Sequence, residues 1–449
     1  MSGSATEDRN AAKRSGGFAS GARILTVGIA STGILSFLYL ALASRELSAE
    51  AYGRISLMWS VMFVILSVIY RPIEQLLSRT IAERRARGLA GHPLRVPATI
   101  QLGFALLFLT VALGLRGEIE DHLYDGVSAL YWMTVVGVLA YAVSYFARGW
   151  LAGHERFALY GLLVFLESTS RFLFALAAAV GISSGQSAVA LGMAVAPFVS
   201  LVVVPFALRH MGAGRRPSAA EREAPALDAG LEGPAHAQVE EAATDLSIQH
   251  GSRFAAAVLG IMLAEQTLMN AAVLIVNASS GHALAGFVFN VLLIVRAPLQ
   301  LFQAIQTSIL PHLAGLAVCD SAEEFARAVR VTVLAIAGFA GACALGLLTI
   351  GPWVMSTLLG DKGFDYERGG LALMAVGMGF HLIAGTLNQA ALARRRAGLA
   401  SFAWLLCAGL FVAWVAAPVV ADEVLRVEIG YFGAAFLLTG LLWGLYRRG

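Results

Sequence analysis

Twelve apolar runs, each about as long as a bilayer is thick, constrain this chain more than any other feature of its sequence. A helix needs roughly 20 residues to cross the hydrocarbon core, where each backbone polar group must find its partner within the segment. The runs fall into two sets of six. In the first set the first run spans Ile24 to Ala43, the second Ile55 to Leu77, the fourth Val127 to Phe146 and the fifth Leu159 to Gly181. In the second set the seventh spans Phe254 to Val276, the eighth Ala283 to Ile309, the tenth Gly369 to Leu392 and the twelfth Ile429 to Tyr446. With 58% hydrophobic and only 14% charged residues, no single water-soluble core could absorb this apolar surface. The expected fold class is therefore all-α, a polytopic membrane protein of about 12 transmembrane helices in two six-helix bundles.

The segments between the runs divide the chain. Residues 1–20 are small, polar and weakly basic and read as a disordered cytoplasmic N-terminus; 21–208 form the first bundle and 254–446 the second. Between them, residues 209–253 are rich in Ala, Pro and Glu, a composition too polar to build a core, and read as a flexible cytoplasmic linker. The pattern Ser321 to Glu324 ahead of Phe325, Ala328 and Val329 is a capping box and predicts a short helix on the inner surface.

Basic residues set the orientation, because cytoplasmic loops are enriched in Lys and Arg. The clusters Arg79, Arg84, Arg85, Arg87, Arg95 and Arg394, Arg395, Arg396 lie on one side, whereas the segment from Arg116 to Gly126 carries Glu118, Glu120, Asp121 and Asp125. The chain is thus expected to be multi-pass in the inner (plasma) membrane with both termini cytoplasmic. A net charge of +3 spread as punctuation between apolar runs excludes a nucleic-acid partner. Cys319, Cys343 and Cys407 have no metal-ligand spacing, and neither a cofactor nor a metal is expected.

The two halves repeat. IYRPIEQLLS in the second run aligns without a gap on IVRAPLQLFQ in the eighth, setting Arg71 on Arg296 and Gln75 on Gln300. Both runs cross in the same direction, so the repeat is parallel.

A charge at the centre of a spanning helix costs roughly 2.5–3.5 kcal/mol on insertion scales, so each needs a reason. Six stand there: Arg71 and Glu74, Glu167 and Arg171, Glu265, and Arg296. Arg296, Gln300, Gln303 and Thr307 share one helical face, and Arg71, Gln75 and Ser78 copy it. Guanidinium matches phosphate oxygens in a bidentate fork and amides hydrogen-bond hydroxyls, so these stripes suit a diphosphate followed by sugars. Helix-to-helix packing through amide hydrogen bonds is the competing use of the same residues. Glu167 and Arg171, one turn apart, are placed to neutralise each other. Glu74 and Glu265 remain as cavity or coupling charges, and His381 as a core histidine before a proton carrier.

The stretch RELSAEAYGRISLMWS, the PIEQLLSR end of the second run and APLQLFQAIQTSILPHL resemble bacterial polysaccharide flippases of the O-antigen and capsule type. These belong to the multidrug/oligosaccharidyl-lipid/polysaccharide exporter superfamily. The resemblance spans essentially all twelve runs and implies two bundles facing each other in a V around a cavity that opens to either side. It further implies a polyprenyl-diphosphate-linked oligosaccharide as cargo, carried to the outer leaflet for cell-envelope polysaccharide biosynthesis. The partners it implies are that lipid-linked oligosaccharide, membrane lipids and polysaccharide assembly proteins of the envelope. The twelve runs lack the extra helical pair of the lipid II flippase. The first run also lacks the acid that multidrug exporters commonly carry there. A cation-coupled multidrug exporter is the alternative reading. A polytopic assembly enzyme is a weaker one, because the loops offer no acid, base or metal constellation, and no catalytic residue is expected. If the orientation holds, a reporter fused after Ser218 is cytoplasmic and one inserted at Asp121 external, as alkaline phosphatase and fluorescent-protein fusions would show.

Overall fold

The structure, a computed structural model, describes residues 28, 31–86, 94–206, 234–296, 298–299, 322–361, 363–394 and 396–448. Among these every regular element is helical. The first half comprises α1 (residues 31–46), α2 (Ala49–Ile65, Leu66–Tyr70 and Arg71–Ala86 in one continuous rod), α3 (Arg95–Gly114), the short α4 (Arg116–Tyr124), α5 (Ser128–Gly153), α6 (Phe157–Ala179) and α7 (Gln186–Leu201). The second comprises α8 (Pro234–Ser280), α9 (His282–Arg296), α10 (Ala322–Leu359), α11 (Arg368–Ala393), α12 (Ala397–Ala416) and α13 (Glu423–Arg447). Ten of these are long and apolar enough to cross a membrane, and α9 is a shorter apolar helix. The expected first and eighth spans run beyond the described residues at one end, which accounts for ten rather than twelve.

Local chemistry fixes several helix starts. Ser48 accepts a hydrogen bond from the Ala51 N–H, and Glu50 in the first turn complements the positive end of α2. Asp422 does the same for α13, accepting from the Val424 and Leu425 N–H groups. Two expectations shift. The helix expected on the inner surface from Phe325 is the beginning of α10, continuous as far as Leu359. Likewise α8 starts at Pro234, inside the segment expected as a linker.

Within the first half α2 packs on α5, and α7 on both α5 and α6; in the second α11 lies between α10 and α13, and α8 against α12. The halves meet where α2 crosses α8 and α9. That crossing is possible only because Gly53 and Gly286 have no side chains. A Cβ on Gly53 would sit 1.9 Å from the His282 carbonyl oxygen, and one on Gly286 would sit 3.0 Å from the Gly53 Cα. Hydrogen bonds close over the contact. The Tyr52 hydroxyl donates to Asn290 Oδ1 at 2.6 Å, and the Asn290 amide donates to Ser44 Oγ at 3.0 Å and the Tyr366 hydroxyl at 3.3 Å. Ser44, Tyr52 and Asn290 are all buried there.

Gly53→Ala should therefore wedge this end open. Overpacking of this kind costs about 1–3 kcal/mol. Ser44→Cys, in a background without other cysteines, should react with maleimide roughly ten times faster when Gly53→Ala is added, since about 1.4 kcal/mol is a tenfold change in the open population. Unchanged labelling would mean that the glycine crossing does not hold the halves.

Candidate functional site

Away from the joined end the halves diverge around a cavity of about 600 Å³. Its first wall is α2. Midway along that helix, Leu66–Tyr70 is a π-turn, in which the Arg71 N–H bonds to the Leu66 carbonyl five residues back. The cause is Pro72, whose ring would collide with the Val68 carbonyl in an unbroken α-helix and which has no N–H to give. The widened turn relieves the clash, and Arg71, Glu74, Gln75 and Ser78 then line the cavity. Glu265, Gln266 and Asn270 of α8, with Arg296 of α9, form the opposite wall.

Five of the sequence-predicted residues are thus brought together: Arg71, Glu74, Gln75, Glu265 and Arg296. Gln300 and Gln303 lie outside the described residues. Arg71 and Glu265 make no hydrogen bond or ion pair among the described residues. Glu74 accepts a hydrogen bond from the Tyr160 hydroxyl at 2.7 Å. Arg296 is 9% exposed and donates to the Met269 carbonyl at 2.6 Å and Asn270 Oδ1 at 3.0 Å, with its guanidinium 4.2 Å from the Phe289 ring centroid; its Nε has no partner.

The two arginines stand at different depths. Gly53 and Gly286 touch, and Arg71 lies eighteen residues past the one while Arg296 lies ten past the other. At 1.5 Å per residue the difference is on the order of 10 Å. Counted from that crossing, Arg296 corresponds to Phe63, which also lines the cavity. The gapless alignment of Arg71 on Arg296 therefore does not put them at one level.

The expected pairing of Glu167 with Arg171 is replaced by another. Glu167, 1% exposed, forms an ion pair with Arg148 of α5 and accepts from Ser144 and Ser200. Arg171 instead donates to the Tyr141 hydroxyl at 2.7 Å and lies over the rings of Trp59 and Phe63. Neither Glu167 nor Arg171 lines the cavity; both stabilise the interior of the first half. An i, i+4 pair on one helix gains little, whereas a partner on the neighbouring helix approaches head-on where no water competes. Arg148 was legible only as a residue two past the end of the fourth apolar run, since α5 continues helical to Gly153. His381 is a core residue, sharing a hydrogen bond of 2.9 Å with the Tyr431 hydroxyl and packed against Trp404. What sequence reasoning missed in the cavity is its aromatic lining: Trp59, Phe63, Tyr145, Phe157 and Tyr160, all from the first half. The i, i+4 spacing of Trp59 and Phe63, whose rings stack at 4.3 Å, was the available signal.

Helices meeting at one end around a polar cavity are the architecture of membrane transporters, and comparison with known proteins gives the same fold. Residues 18–222 match the sequence model of the family described as polysaccharide biosynthesis protein. The fold is that of multidrug and toxin-extrusion (MATE) transporters. A mutant of the Vibrio cholerae MATE transporter VcmN superposes with a TM-score of 0.61 at 14% identity, covering 96% of this chain and 97% of that one. The eukaryotic MATE transporter AtDTX14 gives 0.63 at 10% identity, covering 97% and 96%. An inward-facing multidrug resistance transporter of the MATE family, assigned to the MOP superfamily, gives 0.61 at 13%, covering 94% and 97%. No curated protein sequence matches. The resemblance to the exporter superfamily is borne out, and the protein is a multi-pass membrane protein with a transporter's fold.

Arg148→Ala should leave Glu167 buried without its countercharge and cost about 3–5 kcal/mol. In a thermal unfolding assay in detergent it should be the most destabilising single change among these charges, with Glu167→Gln added to Arg148→Met restoring much of the loss. Greater damage from Arg171→Ala would restore the pairing within α6.

Proposed function

We propose that this protein flips a polyprenyl-diphosphate-linked oligosaccharide from the inner to the outer leaflet for cell-envelope polysaccharide biosynthesis, by alternating access, and is not an enzyme. The observation that carries the reading is Arg71, a guanidinium facing a membrane cavity with no hydrogen-bond or ion-pair partner among the described residues. A guanidinium there, near Glu74 and Glu265 but bonded to neither, is expensive to hold unless a cargo engages it. The family match to polysaccharide biosynthesis proteins supports an anionic, sugar-bearing lipid as that cargo.

The roles follow from depth. On the orientation set by the basic clusters, the joined end is external and the cavity faces the cytoplasm. The diphosphate first meets Arg71, while Arg296 waits on the order of 10 Å deeper and engages it as the halves rock. One diphosphate is too short to bridge both in this arrangement, so the two repeat-related arginines act as successive stations. Gln75, Gln266 and Asn270 hydrogen-bond hydroxyls, and the aromatic wall receives the apolar faces of sugar rings. Gln300 and Gln303, if they continue the face of Arg296, extend the second station. The inner-membrane location, cytoplasmic termini and envelope assembly partners are part of the same proposal.

A second reading has its own support. Glu74, Glu265 and the aromatic wall also suit a cationic amphiphile, since aromatic faces attract cations, as a multidrug exporter would require. Proteoliposomes carrying the purified chain separate the two. A fluorescent polyprenyl-diphosphate oligosaccharide should change leaflets, and Arg71→Gln and Arg296→Gln should each slow this by roughly tenfold, with the two effects multiplying as for sites that act separately. Arg296→Lys should recover only part, because the fork is lost. Transport of a cationic dye but not of the lipid would establish the exporter reading instead.

A further inference from the structure

Each of the two arginine stations, Arg71 and Arg296, is followed by a carboxylate on the side away from the joined end. On α2, Glu74 lies three residues past Arg71, a rise of about 4.5 Å. On α8, Asn270 holds the Arg296 guanidinium and Glu265 lies five residues further from the joined end, about 7.5 Å. A diphosphate on either station thus places the first sugar of its chain beside a carboxylate.

Arg71 is the guanidinium that acts on both acids, and a diphosphate bound there takes up its charge. Arg148, the other guanidinium close to Glu74, is taken by Glu167. Glu265 makes no ion pair or hydrogen bond among the described residues. Tyr160 donates its hydroxyl proton to one oxygen of Glu74 and leaves the other oxygen for a ligand. Beside Glu74 stands the ring of Tyr160, whose face attracts an ammonium and tolerates an uncharged sugar face.

We propose that the cavity selects lipid diphosphates whose first sugar is uncharged or carries an amine, and rejects those with a carboxylate at that sugar, with Glu74 and Glu265 as the discriminating residues. This rests on the flippase reading and narrows its substrate class. A carboxylate brought against Glu74 or Glu265 in a low-dielectric cavity meets a like charge, whereas a hydroxyl donates to it and an ammonium pairs with it.

The test uses the full chain in proteoliposomes with three synthetic polyprenyl-diphosphate disaccharides. They differ only at C6 of the sugar joined to the diphosphate, which carries a hydroxymethyl, an aminomethyl or a carboxylate group. The expected order of affinity and of flipping rate at neutral pH is aminomethyl, hydroxymethyl, carboxylate, with roughly tenfold or more between the first and the last. Glu74→Gln with Glu265→Gln should shrink that ratio to within about twofold; glutamine keeps an acceptor for Tyr160, and the ratio between lipids cancels any common loss. Equal handling of the three lipids, a preference for the carboxylate, or a ratio unchanged in the double variant would overturn the selectivity while leaving flipping intact. Failure to bind any of the three better than the same polyprenol without phosphate would overturn the flippase reading and this inference with it.

Discussion

The tightest helix crossing among the described residues is the backbone contact of Gly53 in α2 with the start of α9 and Gly286. Only a pair of residues without side chains lets α2 approach α9 so tightly that a single added carbon would meet the His282 carbonyl oxygen at 1.9 Å. Everything at the cavity is measured from there. The contact fixes which residues of the two helices share a level, and hence the depth of each arginine. It also gives the halves a pivot: two backbones in direct contact with no interlocking side chains can roll on one another, while Tyr52, Asn290, Ser44 and Tyr366 supply a hydrogen-bonded latch that must open for the roll to happen. Because that latch is buried, breaking it leaves polar groups to be satisfied by water, which ties its opening to the entry of solvent from that side.

A second constraint operates inside the first half. Arg148 and Glu167 belong to different helices, so their pairing registers α5 against α6, with Ser144 and Ser200 filling the remaining acceptor sites of the carboxylate from α5 and α7. Three helices are thereby pinned at one point. Arg171, released from the role its spacing suggested, tethers α6 to Tyr141 and lies against the Trp59 and Phe63 rings of α2. The aromatic wall of the cavity is therefore backed by a positive charge from behind. This arrangement ties α5, α6 and α7 to one another, while the second half meets the cavity with Glu265, Gln266, Asn270 and Arg296 beside the apolar Met269 and Leu299.

Hydropathy made the spans legible because lipid imposes one rule on every helix, and the basic clusters between the runs marked which ends share a side. It did not make the register of the repeat legible. Sliding one apolar helix along another by two turns leaves the same match of Leu, Ile and Val, so a short alignment seeded on Arg71 and Arg296 looked as good as the register that the glycine crossing selects. The same indifference hid Arg148: the apolar run ended at Phe146, but the helix continued and its next turn carried the charge that Glu167 needed. Arg71, Glu74, Gln75, Glu265 and Arg296 were found because a polar residue in lipid is conspicuous. The aromatic wall was not, because an aromatic ring in an apolar run looks the same whether it faces lipid, core or cavity, and only the packing of α2 against α5 and α6 tells these apart.

The formal charges facing the cavity bear on how such a protein returns empty. Setting aside Arg148, which Glu167 neutralises, and Arg79, which has a partner of its own, the lining carries Arg71 and Arg296 against Glu74 and Glu265. The two signs balance. On the flippase reading, a cavity lined with the arginines alone would bind an anion more tightly but would resist closing without it, because a net charge is costly to bury. It would also hold its cargo at the stage when it must let go. The two carboxylates thus have a consequence beyond recognition: they let the empty cavity close without a net buried charge, which is what a return stroke requires.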